Sequence, residues 1–403
     1  MIRHLIRLSW NRKRSNALIM IEIFVCFLVL TGVMTGAAYY LANWHRPLGF
    51  SYENVWEVEI DYGRYDAASE TDRQAIIDRM QQVRREVDGM IEVEAAALAV
   101  NTPYSNSTNS TTMVLAGREE DVNMGAATIE LKDVLGLEIE RGRWLEAGDD
   151  TRAWIPVVIN QKLAQARFGN EDPLGKPVDP NPEPEAGEME TRVVGVITDL
   201  RRNGEFSASP HLAIIPARLG DVEEYPPDRL LIKVRPGSGV MFEERLVSVL
   251  NRVAPEWTFN VDSLLSSRER MLRFYLLPLL VLGLIAGFLV IMVGLGLMGV
   301  LWQSVTRRTS EMGLRRALGG TTGAVRGQIM GELLVLTTLA VGLGTLVVLQ
   351  LPMLGVLPFL SFGIYLSGLA LSLLVTYLVV MLCSLYPSWL ATRIHPGTAL
   401  QHE

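Results

Sequence analysis

The chain has 403 residues, 49% of them hydrophobic, with 44 acidic and 37 basic side chains and a formal charge of −7. The charge is unevenly divided: residues 43–273 hold 40 acidic and 26 basic side chains, whereas the remainder holds 4 and 11. Two parts so different face different surroundings, and the absence of a basic patch interleaved with aromatics excludes nucleic acid as a partner.

Residues 1–16 carry Arg3, Arg7, Arg12, Lys13 and Arg14, with Ile2, Leu5, Ile6 and Leu8 forming an apolar stripe. This pattern predicts an amphipathic helix lying in the inner membrane interface. Residues 17–42 follow as an apolar run. A signal peptide competes for the same features, but the run is too long and lacks a small-x-small exit. It therefore reads as an uncleaved first span whose positive N-terminal flank stays in the cytoplasm. Glu22 lies within it, about six residues or roughly 9 Å along the helix. An ionisable residue at membrane depth is a functional candidate, although Arg12, Arg14 or Arg393 could pair with it.

Residues 43–273 then lie outside the membrane and contain no cysteine, since Cys26 and Cys383 both fall in apolar spans. A domain of this size without disulfides must be held by its core. Val55–Ile60 alternates like a strand, and Ile76, Ile77, Met80, Val83 and Val87 recur at helical spacing. Ile91–Val100 reads as a second strand. Further on, Arg229–Val234 and Trp257–Val261 read as strands around a helix over Val240–Val253, with Phe242, Leu246, Val249 and Leu250 inward. Two such βαβ units predict a ferredoxin-like layer. The intervening residues, about 111–227, are rich in short strands, Gly and Pro and read as an inserted β-rich subdomain. Within them, Asp179–Glu190 is a Pro- and Glu-rich exposed loop.

No Asp, Glu, Lys or Arg occurs from Phe274 to Thr306, nor from Leu333 to Thr392. About 20 apolar residues suffice for a helical crossing. The first run therefore supplies a second span, 274–301, in which Gly283 and Gly287 form a G-x-x-x-G suited to close helix packing. The second run, broken near Pro352, Gly355 and Pro358, supplies spans over 333–351 and 362–386, leaving 387–403 as a cytoplasmic tail. The predicted fold is a membrane α-helical protein with four transmembrane helices and a large α+β extracytoplasmic domain.

Between the second and third spans, residues 302–332 form a charged island with five arginines and two glutamates, a composition that keeps a short loop cytoplasmic. Met312, Leu314, Ala317 and Leu318 suit one face of a short helix. Glu311 precedes Arg315 by four residues, the favourable order for a helical pair, and Gly319-Gly320 would end the helix. From residues alone, this is either a docking handle for a cytoplasmic partner or a positive topology anchor.

The island, RRTSEMGLRRALGGTTGAVRGQIMGE, resembles the signature of MacB/FtsX-type ABC transporter permeases, roughly R-T-x-E-I-G-[IL]-R-R-A-[LI]-G-A-[ST]. Arg308, Thr309, Glu311, Gly313, Leu314, Arg315, Arg316, Ala317, Leu318 and Gly319 match it; Met312 replaces an isoleucine and Gly320 an alanine. The ectodomain segments GRWLEAGDD, VVINQKLAQARFGNEDPLGKPV and RVVGVITDLRRNG are similar to the same family. So is the ending SLYPSWLATRIHPGTALQ, through Tyr386, Pro387, Ala391, Pro396, Ala399 and Leu400.

The resemblance implies that Arg308–Gly319 is the coupling helix of a permease subunit. Its ATPase would be a separate polypeptide, because the chain begins almost at the membrane. On the same basis ATP and magnesium belong to that ABC ATPase, and this chain binds no cofactor. A second permease, identical or paralogous, is the expected partner, with membrane lipid around both. A periplasmic adaptor and an outer-membrane channel are further candidates. The implied location is the inner membrane, with both termini cytoplasmic and the large domain periplasmic. The implied mechanism is mechanotransmission, in which ATP hydrolysis reshapes the outer domain, serving export of a peptide, drug, lipid or lipoprotein. The alternative is FtsX-like regulation of an extracytoplasmic protein.

The residues offer no catalytic constellation beside this. GNEDPLGK, 169–176, departs from a phosphate-binding loop in its glycine spacing and in having Pro177 after the lysine. The five histidines have no metal-ligand spacing, and no G-x-S-x-G elbow occurs. The expectation is a subunit that is not itself catalytic.

Overall fold

A computed structural model of the chain describes residues 13–63, 69–105, 109–115, 117–151, 154–178, 190–217, 227–307, 322–354 and 360–391. It divides into two compact units, Met1–Ala42 with Tyr275–Glu403, and Asn43–Phe274.

In chain order the elements are α1 (Lys13–Trp44), β1 (Val55–Asp61), α2 (Glu70–Asp88), β2 (Val93–Ala99), β3 (Ser110–Leu115), β4 (Arg118–Ala127), α3 (Leu131–Leu135), β5 (Ile139–Gly142), β6 (Ile155–Asn160), α4 (Gln161–Phe168), β7 (Thr191–Ile197), β8 (His211–Pro216), β9 (Arg229–Val234), α5 (Val240–Val253), β10 (Thr258–Ser263), α6 (Leu264–Arg307), α7 (Thr322–Met353) and α8 (Phe362–Ala391). Four helices contain stretches long and apolar enough to cross a membrane: Ala17–Trp44, Leu264–Gln303, Met330–Met353 and Phe362–Leu385.

In the ectodomain, the strand order β10-β1-β9-β2 is that of a ferredoxin-like layer, with every neighbouring pair antiparallel. Helix α2 is capped by Ser69, whose side chain accepts from the Asp72 amide, and its Ile76, Ile77, Met80, Val83 and Val87 are buried. Phe242, Leu246 and Leu250 of α5 are buried in the same core, with Val249 partly buried against it. These positions recur every three or four residues, so one stripe of each helix meets the sheet. Strands β2 and β9 are apolar on both faces. Ala96, Leu98, Leu230 and Ile232 enter the helix-covered core, while Ala97, Ala99 and Leu231 enter a second core with Phe50, Trp144 and Leu264. Two-sided burial explains why these strands read as nearly unbroken apolar runs.

The residues between β2 and β9 are inserted as the spacing predicts, yet they extend the same sheet instead of forming a separate β body. The order continues β2-β4-β8-β6-β7-β5, with β3 paired to β4, giving ten strands. The seam is narrow: β2 meets β4 in register at Ala99 and Ala127, reinforced by bonds from Val100 N to Ala126 O (2.8 Å) and from Thr128 N to Leu98 O (2.9 Å). Beyond the seam, β4 and β8 run parallel, as do β6 and β7, around a small core that includes Val122, Val157, Ile159, Leu163 and Val193.

In the span unit, buried Ile23, Phe27 and Leu30 of α1 pack with Val293 and Leu297 of α6, Ala340 and Val348 of α7, and Leu369 and Val380 of α8. Helix α6 continues without interruption from Leu264 to Arg307, with Pro278 inside it. At 1.5 Å per residue it is about 66 Å long.

Candidate functional site

Three places carry functional interest: the interior of the span bundle, the arginine-rich loop over 302–332, and the β7–β8 connection of the ectodomain. Each is set by a different local device.

Inside the bundle, glycines rather than large side chains set the helix approaches. A Cβ added at Gly368 of α8 would lie 2.2 Å from Thr35 Oγ1 and 2.5 Å from Thr35 Cα, so α8 touches the α1 backbone there. At Gly344 of α7 the same atom would meet the Phe27 ring at 2.5 Å. Hydroxyls add bonds where the helices are close. Thr31 and Ser372 oxygens lie 2.9 Å apart, Thr338 and Tyr377 oxygens 3.0 Å apart, and the Tyr365 hydroxyl donates to the Val348 carbonyl. Close packing through small residues and interhelical hydroxyl contacts is what helices in lipid rely on, since lipid offers little hydrophobic drive for their association.

Glu22 is partly buried against α6, where a Cβ on Gly296 would stand 2.7 Å from its Oε2. The missing side chain at Gly296 is what admits the carboxyl group. The proposed partners Arg12 and Arg393, and the side chain of Arg14, lie outside the described residues. At Gly283 and Gly287, the G-x-x-x-G expected to allow close helix packing, an added Cβ would meet nothing within 4 Å among the described residues of this chain. The motif is present, but it faces away from this chain's other described helices. Close approaches on α6 occur instead at Gly294, against Cys383, and at Gly296.

The expected coupling segment, Arg308, Thr309, Glu311, Met312, Gly313, Leu314, Arg315, Arg316, Ala317, Leu318 and Gly319, lies outside the described residues, as does Pro396. Tyr386 and Pro387 fall within helix α8, near its C-terminal end. Sequence spacing therefore defines the loop's candidate residues, and the structure supplies the helices on either side of it.

In the ectodomain, the β7–β8 connection, residues 198–210, gathers an unusual set of bonds. Arg201 is 3% exposed. Its guanidinium donates to the carbonyls of Asn43 (2.8 Å), Arg46 (2.8 Å), Ser207 (3.0 and 2.9 Å) and Glu205. Its backbone amide donates to the Leu48 carbonyl at 2.8 Å. Gly49, at φ +80°, comes so near that a Cβ there would lie 2.2 Å from the Asp199 carbonyl oxygen. Trp44 stacks on Phe206 with ring centroids 5.4 Å apart. Few residues other than glycine fit the backbone at position 49, because both the conformation and the close approach disfavour a side chain.

The same connection binds the start of α6. Glu205, nearly buried, accepts from Arg268, whose guanidinium also lies 4.8 Å over the Tyr52 ring. Burial works against the Arg268 charge, but the bond and charge of Glu205 outweigh it and raise its pKa. Burial alone pulls the Arg202 pKa down. The connection is anchored at its other end by Asn160, which is fully buried. The Asn160 amide donates to Asp199 Oδ1 and to the Pro210 carbonyl, both at 2.9 Å, while its oxygen accepts from the Leu163 and Leu212 amides. Beside this knot lies an open cavity of about 790 Å³ whose lining includes Tyr52, Glu53, Glu138, Glu140 and Asp199.

Sequence reading placed Asp199–Arg202 within a family-like segment but gave it no role. The available signal was a pair of adjacent arginines within an otherwise acidic domain. Among the described residues no cluster of three or more His, Cys, Asp or Glu side chains could hold a metal.

Comparison with known proteins decides the family. The MacB-like periplasmic core domain model matches residues 18–246, and the FtsX-like permease C-terminal model matches 274–396. The chain belongs to the MacB/FtsX-type ABC transporter permeases. Among its relatives, macrolide export ATP-binding/permease protein MacB 2 of Aeromonas hydrophila is 25% identical over 79% of this chain and 49% of its own length. The uncharacterized ABC transporter permease YknZ of Bacillus subtilis is 24% identical over 71% of each chain. The chain thus spans about half the length of the MacB 2 relative. A solved structure of the periplasmic region of MacB from Actinobacillus actinomycetemcomitans covers 57% of this chain and 97% of its own, at 16% identity and a TM-score of 0.39. The MacB/FtsX-type assignment covers both the ectodomain and the last three spans.

Proposed function

We propose that this permease takes up work from an ABC ATPase docked on residues 302–332 and uses it to reshape its periplasmic domain in the export of a peptide, drug, lipid or lipoprotein. The ATPase carries ATP and magnesium, and two permease chains complete the assembly in the inner membrane with both termini cytoplasmic. The observation that supports this reading best is α6, a single helix that begins at the last strand of the ectodomain sheet and ends where the arginine-rich loop begins. A push on that loop acts directly on a rod continuous with the outer domain. The spans add a second argument. Within 17–42, 274–301, 333–351 and 362–386 Glu22 is the sole acidic residue, a poor lining for a hydrophilic path and a reason to place the work outside the membrane.

The test is an affinity pull-down of the tagged full chain from its native membrane, with mass spectrometry of what accompanies it. Recovery of an ABC ATPase supports the reading, and a periplasmic adaptor recovered with it supports export. A cell-wall hydrolase in its place would favour regulation of an extracytoplasmic partner. Replacing Arg315 and Arg316 with glutamate is expected to abolish ATPase recovery while the ectodomain stays folded. Normal recovery and ATP turnover in that double variant would refute the docking assignment.

A further inference from the structure

We infer that the β7–β8 connection, residues 198–210, is the element through which the ectodomain takes up movement of the two helices that enter it, with Arg201, Glu205 and Arg268 as its positioning residues. The inference rests on the mechanotransmission reading for its purpose, but the linkage itself is a property of this chain alone. Every contact that carries it lies within the ectodomain unit.

Three attachments meet on one short loop. The first is to the exit of α1. Arg201 uses its guanidinium to hold the Asn43 and Arg46 carbonyls, its amide binds Leu48, and Phe206 stacks on Trp44. The second is to the beginning of α6, through the Glu205–Arg268 ion pair. The third is to the outer half of the sheet, through Asn160 and Asp199, which tie the loop to β6, α4 and β8. A buried arginine that satisfies several carbonyls at once cannot let one go without leaving polar atoms unpaired, so the loop and the α1 exit shift as one body. The Glu205–Arg268 pair is largely withdrawn from water, which likewise opposes separation.

The ferredoxin-like layer also meets the outer half through the narrow β2–β4 seam and through the core that holds Ala97 and Leu231 together with Leu135, Trp144 and Leu212. The loop adds a polar link from α1 and α6 to β7 and β8, the strands on either side of it, and a relative displacement of the two helices reaches those strands through it. The Asn160 knot is then the point at which the outer half of the ectodomain is pulled.

The test uses the full-length protein in lipid nanodiscs and needs no ATPase for its first reading. Arg268→Gln removes the ion pair but keeps a hydrogen-bonding side chain. Arg268 has no bond to residues 43–48 in the structure, yet the variant is expected to raise amide hydrogen exchange there by at least about tenfold, with the β1–β9 ladder still protected. Glu205→Gln is expected to act likewise, and the exchanged pair Glu205→Arg with Arg268→Glu to restore much of the protection. Increased exchange confined to 264–272 would overturn the inference, as would unchanged exchange at 43–48.

In wild type reconstituted with the recovered ATPase, ATP is expected to alter exchange at 43–48 and 198–210 together, and Arg268→Gln to abolish the change at 198–210. Persistence of that change in the variant would also overturn the inference. Failure of wild type to bind any ATPase would refute the proposed function, while the first reading would still decide the linkage.

Discussion

The span bundle and the ectodomain share a chain but differ in what drives their packing. In the ectodomain, large side chains fill two cores on the faces of the ferredoxin-like layer, and Met80, Leu98, Leu230 and Leu246 are fully buried. In the bundle, the closest approaches occur where a side chain is missing, at Gly296, Gly344 and Gly368. The difference follows from the solvent. Water drives apolar surface together, so the outer domain gains by burying bulk. Lipid tails are as apolar as leucine, so spans gain mainly from close contact and from hydroxyl pairs such as Thr31 with Ser372.

The sharpest way to break this comparison is to add bulk to the bundle. Gly368→Leu would drive a side chain into the Thr35 backbone of α1, which cannot yield as a side-chain tip can. The expected result is loss of a monodisperse, folded protein in detergent, a destabilisation at or above the ~3 kcal/mol upper end of ordinary overpacking. A normal size-exclusion profile with retained helicity would show that the α1–α8 approach is not needed. Removing bulk from the ectodomain is the converse experiment. Met80→Ala empties a fully buried site and should destabilise that domain by about 2–5 kcal/mol, read from hydrogen exchange of the β9 amides. The bundle should be unaffected.

A subtler prediction concerns a buried charge that water-soluble domains tolerate poorly. Glu57 is 6% exposed and bonded to Thr102 and Arg229. Burial pushes its pKa above the ordinary 4.5, with the Thr102 bond and Arg229 only partly opposing. A carboxyl group with a raised folded pKa favours the protonated fold. Its contribution is fully present below pH 4.5 and is lost as pH rises through the folded pKa. Ectodomain stability measured against pH should therefore fall across that interval in wild type, and Glu57→Gln should flatten that part of the profile. An identical profile in the variant would place the slope elsewhere. The smallest effect is expected at Gly287. A side chain there meets open space, so Gly287→Ala should change the stability of the isolated chain by no more than about 0.5 kcal/mol. A large loss would restore Gly287 to a packing role with a partner outside this chain.

Local pattern and three-dimensional neighbourhood contributed differently to what was legible. The stripes Ile76–Val87 and Phe242–Leu250 emerge as core faces because a helix face is a property of one segment and its period. The ferredoxin-like strands were legible for the same reason. The join between β2 and β4 was not, because Ala99 and Ala127 carry no mark of being paired across 28 residues of chain. Gly283 and Gly287 show the limit of the motif, because G-x-x-x-G states that a helix surface is flat without stating what lies against it. Arg201, by contrast, reads as one more basic residue until its carbonyl partners, drawn from positions 43 to 207, are seen around it.

By itself the sequence determined that the chain has four apolar stretches, an acidic domain between the first two and a basic loop bearing a permease signature, because hydropathy, charge and short motifs are written residue by residue. Only the tertiary structure decided that the inserted strands extend one ten-stranded sheet, that Gly344 and Gly368 fasten the bundle, and that one loop binds the outer ends of two helices. Those features depend on which distant segments meet, and contact between distant segments is settled by packing and by the pairing of buried polar groups rather than by any local pattern.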